Sequence, residues 1–234
     1  MNNRIFSVLL SLFLACSSSR VDAQTIDRVV LKSLQADRWY DNVYLMADRV
    51  NLGTYSNFTV QIGDKGELLY YFPKWESGKY DTYIYRDDID SNKFTDVIIV
   101  LDNYKDPIHV LQHDVDPYQA YIEVPVEPVN DAVKRLVKME KKGDIVTIKT
   151  KEKTVEINVK PFNYTTVKPA STEVFIGIDR VDYSVLQHKI IAQVPILITI
   201  GGLIGYLILT YDWNGKGYEV KSVNFKQYVP IHYD

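Results

Sequence analysis

Asp88, Asp90 and Asn92 stand at alternate positions, the spacing that opens a calcium loop, where oxygen-bearing side chains on every second residue converge on one hard cation. Lys93 holds the place where such a loop needs glycine, and Ile99 the place of its closing bidentate glutamate. The sequence therefore predicts a solvated acidic turn rather than a metal centre, with Asp87 and Asp96 nearby to lend a weak calcium contact at most. His109 and His113 are four apart, which on a helix would place two imidazoles over one metal. They fall instead in a β-type run starting at Pro107, where four residues span about 13 Å, too far for two rings to ligate one ion at about 2 Å each. His188 and His232 are isolated and read as ordinary surface or packing residues.

Nucleophilic chemistry has the residue types but no signature. No G-x-S-x-G elbow and no H-E-x-x-H pair is present, and Gly201-Gly202-x-x-Gly205 lacks both the phosphate-loop lysine and the glycine spacing of a dinucleotide site. A hydrolase would need a scattered set, with His109, His113 or His188 brought to a serine and a carboxylate by the fold. The reading is of a non-enzyme with no catalytic residue, no metal ligand and no cofactor. With 27 Lys and Arg against 30 Asp and Glu, the chain carries a formal charge of -3, which argues against a nucleic-acid partner. The one net-basic stretch, residues 131–160, reads as a solvated helix face followed by a hairpin with its lysines on the wet side.

What stands out is the aromatic load of 18 Tyr, 8 Phe and 3 Trp, because tyrosine joins an apolar body to a polar tip and suits recognition surfaces. Tyr83 and Tyr85 share one face of a predicted strand while Ile84 takes the other, so Trp75, Tyr83 and Tyr85 form the candidate binding face, provided that they are exposed. Asn57 and Asn163 sit in glycosylation acceptor triplets, which have force only in a eukaryotic secretory pathway.

The elements that must position these residues are mostly strands. Runs at 58–62, 67–72, 80–86, 96–101, 107–112 and 120–124 alternate or are β-branched, separated by turn chemistry such as Gly63-Asp64-Lys65-Gly66. Residues 131–142 break that pattern with Val133, Leu136 and Val137 at helical spacing and Gly143 as a stop, which predicts one short α-helix. A hairpin over 144–160 and an Asn214-Gly215 hairpin complete the list. The expected fold is all-β, an antiparallel sandwich or barrel-like, divided into a β-rich half over 24–124, a linker at 125–130 whose Pro125 and Pro128 favour extended backbone, and a second half over 131–234.

Two apolar segments decide the address. Residues 5–15 (IFSVLLSLFLA) follow Arg4 and are too short to span a bilayer, and Val21 and Ala23 supply small residues for cleavage, so residues 1–23 read as a signal peptide and the chain as secreted. The alternative is lipidation of Cys16, the chain's single cysteine. Residues 190–211 (IIAQVPILITIGGLIGYLILTY) carry no charge and are long enough, at about 1.5 Å per residue, to cross a core of roughly 30 Å as a helix. Pro195, the glycine pair 201–202 and the β-branched content favour two buried strands instead. The function expected is that of a secreted or cell-surface binding protein recognising a protein or glycan. The first alternative is a membrane-anchored structural or adhesive protein, with residues 190–211 spanning the bilayer.

Overall fold

A strand with one apolar face must cover it with another layer, and a chain built on period-two alternation therefore stacks sheets. In the computed structural model, which describes residues 27–66, 68–77, 82–101, 105–113, 121–160, 174–198 and 202–228, four antiparallel sheets and one short helix form an all-β, sandwich-like fold. Residues 1–23, with Cys16, and Asn163 lie outside the described residues.

The first sheet runs in chain order through β1 (Asp27–Leu34), β2 (Val43–Asn51), β3 (Thr54–Ile62) and β4 (Leu68–Phe72). The glycines of the β3–β4 turn, Gly63 and Gly66, take positive φ values of 82° and 69°, which glycine tolerates without a Cβ clash. The second sheet is β5 (Tyr83–Asp87), β6 (Asp96–Val100), β7 (Ile108–His113) and β8 (Tyr121–Val124). Its strand β6 is buried along its whole length. Val97 and Ile99 pack with Val43, Leu45, Phe58 and Val60 of the first sheet, whereas Ile98 and Val100 join a larger core with Val194, Ile196, Leu207 and Leu209. The second sheet is thus a middle layer, and a continuous DVIIV run is what such a position requires.

Helix α1 (Val129–Leu136) buries Val129, Ala132 and Val133 against the larger core. The helix expected over 131–142 ends there: Val137 N–H closes the last helical bond on Val133 O, and Lys138–Lys142 is a strand, β9. The physical reason is the turn that follows. Gly143, at φ 59°, folds β9 back on β10 (Ile145–Lys149), pairing Lys142 with Ile145 and Lys138 with Lys149, and β11 (Thr154–Asn158) completes this third sheet. Residues 125–128, in the expected linker, run beside Tyr218. Pro125 O accepts the Tyr218 N–H at 2.9 Å and Tyr218 O accepts the Glu127 N–H at 2.8 Å.

The fourth sheet contains β12 (Phe175–Ile176), β13 (Asp182–Leu186), β14 (Lys189–Leu197), β15 (Leu203–Trp213) and β16 (Tyr218–Gln227), with β14 and β15 inside. The apolar stretch 190–211 is therefore, over its described residues, two core strands. Ala192, Val194, Ile196, Ile204, Leu207, Leu209 and Tyr211 are all fully buried. Among the described residues no helix is long and apolar enough to cross a membrane. The Asn-Gly hairpin forms as expected, with Asn214 Oδ1 accepting the N–H groups of Lys216 and Gly217 at 2.9 Å each.

Candidate functional site

Trp75 does not belong to an exposed face. It is 5% exposed and lies between the Phe72 ring, stacked at 3.9 Å, and the His109 ring, also stacked at 3.9 Å. Its indole Nε1 donates to Glu123 Oε1 at 2.9 Å, and His109 Nδ1 meets the same oxygen at 3.0 Å. The Trp75 ring thereby closes one edge of the core between the first two sheets. This corrects its place in the expected binding face. The stretch before it, Pro73-Lys74, turns the chain so that the indole folds inward over β7.

Tyr83 and Tyr85 lie on one face of β5 with their rings 6.5 Å apart and Ile84 buried on the other side, as the alternation requires. Only Tyr83 is open to solvent, at 45% exposure, with Lys32 Nζ 5.7 Å from its ring centroid. Tyr85 is half-buried and its hydroxyl donates to Tyr183 O at 3.1 Å, and burial raises its phenol above the ordinary tyrosine range.

Two exposed aromatics outside the predicted binding face lie on the segment joining β1 to β2. Trp39 and Tyr40 are 43% and 45% exposed and meet edge to face at 5.5 Å. Lys65 Nζ stands 4.4 Å from the Trp39 centroid, and Arg38 donates to the Tyr40 hydroxyl at 2.7 Å. The short 3-10 turn Trp39–Asp41 is fixed from three sides. Trp39 O accepts from Asp64 N–H, Asn42 O accepts from Gly63 N–H at 2.8 Å, and Arg86 donates to both Asp41 O and Asp41 Oδ1 at 2.7 and 2.8 Å. Arg86 belongs to β5, so the strand that carries Tyr83 also holds the turn that carries Trp39 and Tyr40. The available signal was two adjacent aromatics between Arg38 and Asp41, outside any apolar run.

The loop between β5 and β6 gathers carboxylates. One oxygen from each of Asp88, Asp90 and Asp96 lies within 4.8 Å of the others. Asp96 is completely buried and accepts backbone N–H bonds from His113 at 2.9 Å and Ile89 at 3.2 Å. Burial pushes its carboxyl up to about 7, with Asp90 and Asp88 adding to the rise and the two N–H bonds opposing it. The loop forms the turn expected of it, and does so with Lys93 where glycine would be favoured. Ser91 and Lys93 adopt φ values of 66° and 75°, and the Lys93 N–H donates to Asp88 Oδ2 at 3.0 Å.

Among the described residues, His109, His113 and His188 do not assemble a common site, and His232 lies outside them. His109 and His113 occupy separate aromatic slots on β7, the second stacked on Tyr121 at 4.6 Å. His188 pairs with Asp87 at 2.7 Å and is exposed. Among the described residues, neither His109–Glu123 nor His188–Asp87 includes a serine hydroxyl. Asn57 sits in β3 at φ 52°, its Nδ2 donating to Asp48 Oδ2 at 3.0 Å and its Oδ1 accepting from the Tyr71 hydroxyl at 3.2 Å. A glycan on Nδ2 would replace one of its two hydrogens and leave a single N–H for the Asp48 bond. No protein-family model, no curated protein and no solved structure matches this chain.

Proposed function

We propose that the protein is an exported, non-enzymatic binding protein, and that it recognises a protein partner through the exposed aromatics Trp39, Tyr40 and Tyr83. The observation that carries this reading is that Trp39 and Tyr40 are held open to solvent by a hydrogen-bonded turn, with Arg38 and Lys65 against their rings. Trp, Tyr and Arg are the residue types that dominate binding energy at protein interfaces, and presentation on a rigid scaffold lowers the entropy lost on association. Export rests on the signal-peptide pattern of residues 1–23. The non-enzymatic reading rests on histidines whose ring partners, where described, are carboxylates and aromatic rings.

The test uses the full chain against immobilised extracellular proteins and, separately, against an immobilised glycan panel, comparing wild type with Trp39→Ala/Tyr83→Ala. The expected result is a saturable protein partner that shields Trp39 emission from acrylamide. The double variant should bind it about 30-fold or more weakly, while its Tm stays within about 2 °C of wild type. A partner held equally well by the double variant, or saturable binding confined to the glycans, would overturn the reading.

A further inference from the structure

We propose that the loop joining β5 to β6 is a calcium site, formed by the carboxylates of Asp88, Asp90 and Asp96, with the buried hydroxyl of Tyr218 on its inner side. The donor set is all oxygen, with no imidazole or thiol among the gathered groups, which suits a hard cation. Two oxygens bound to one calcium ion at about 2.4 Å can stand at most about 4.8 Å apart. The three carboxylate atoms already meet that limit.

Two buried atoms lack a partner among the described residues. Asp88 Oδ1 is sealed from solvent and has no hydrogen-bond partner among the described residues. The same holds for the hydroxyl of Tyr218, a residue only 1% exposed, and the charges acting on that phenol are those of Asp96, Asp90 and Asp88, in that order. Buried polar atoms are ordinarily paired, so a pair of orphans beside three clustered carboxyl groups marks a missing partner of positive charge. None of the ion pairs formed among the described residues reaches these three carboxylates.

The ligands are held by their neighbours. Lys93 N–H orients Asp88, the Gln112 side-chain amide donates to Asp90, and the N–H groups of Ile89 and His113 hold Asp96. The glutamate that a twelve-residue loop places at its end is replaced by Asp96 at the start of β6, eight residues after Asp88, so the loop is closed by a strand. Waters and loop carbonyls would complete the six to eight oxygens that calcium takes. The ion would then tie β5, β6 and β7 together at one end of the middle sheet.

In the test, the full chain is stripped with EDTA, dialysed, and titrated with calcium chloride while Tm is followed. Tm should rise by about 5 °C or more at 100 times the half-saturating concentration, with half-saturation between about 10⁻⁵ and 10⁻³ M. Asp88→Asn and Asp90→Asn should each move half-saturation up by about 10-fold or more. As a measurement on wild type alone, terbium should bind with sensitised emission that calcium displaces. No rise in Tm at about 10 mM calcium, an equal rise with magnesium, unchanged half-saturation in both variants, or terbium emission that calcium fails to displace would each overturn the proposal.

Discussion

Trp75→Ala lowers the unfolding free energy by about 3–5 kcal/mol, the range for truncating a large buried aromatic, and lowers Tm by roughly 10 °C or more for a chain of this length. The loss is large because three interactions end together. Phe72 and His109 lose the ring stacked between them, and Glu123 loses the indole N–H. The remaining cavity opens into the core shared by Phe58, Val60 and Ile99. Tyr83→Ala, at an exposed position, changes stability by about 0.5 kcal/mol or less. Urea unfolding of the two variants checks the contrast. Equal, small effects would put Trp75 back on the surface and restore it to the recognition face.

Gly205→Ala is the second large effect. A Cβ built on Gly205 falls 2.4 Å from Phe225 Cζ and 2.5 Å from Lys226 O. The ring can repack, but the carbonyl belongs to β16, where Gly205 is paired with Gln227 and Tyr206 with Lys226, so relief requires the two strands to part. We expect a loss of about 3 kcal/mol, at the upper end for overpacking, seen as a lower urea midpoint at unchanged slope. In a lone membrane-spanning helix the same methyl group would face lipid or a partner helix, and the stability of the rest of the chain would not change.

The chemistry of turns and the apolar runs made much of this fold readable. Gly63 to Gly66, Asn214-Gly215 and the DVIIV run each lead to the element found, because local backbone preference and burial agree there. Strands β1 and β2 are not evident from pattern alone although Val43, Leu45 and Ala47 alternate, since Asp48 and Arg49 interrupt the run and answer instead to Arg28 and Asp27 across the ladder. The helix read as reaching residue 142 failed at Val137 because helical spacing and strand alternation overlap in Leu136-Val137-Lys138-Met139, and pairing with β10 decides between them. Site residues were harder still. Alternation placed Tyr83 and Tyr85 on one face, but the depth of Trp75 depends on His109 and Glu123, which are distant in sequence. The carboxylate loop was legible in its spacing at 88, 90 and 92. Its closure by Asp96 was not, because that depends on how β6 leaves the turn.

Whether the apolar stretch near the carboxyl end lies inside a stack of sheets is tested most directly by hydrogen exchange followed by mass spectrometry, on the full chain in buffer free of detergent and lipid. Amides of β6, β14 and β15 should exchange slowest of all, near the rate set by global unfolding, because their ladders are paired on both sides. Rapid exchange across 189–213 that slows only when detergent or lipid is added would contradict the layered core and the binding protein built on it.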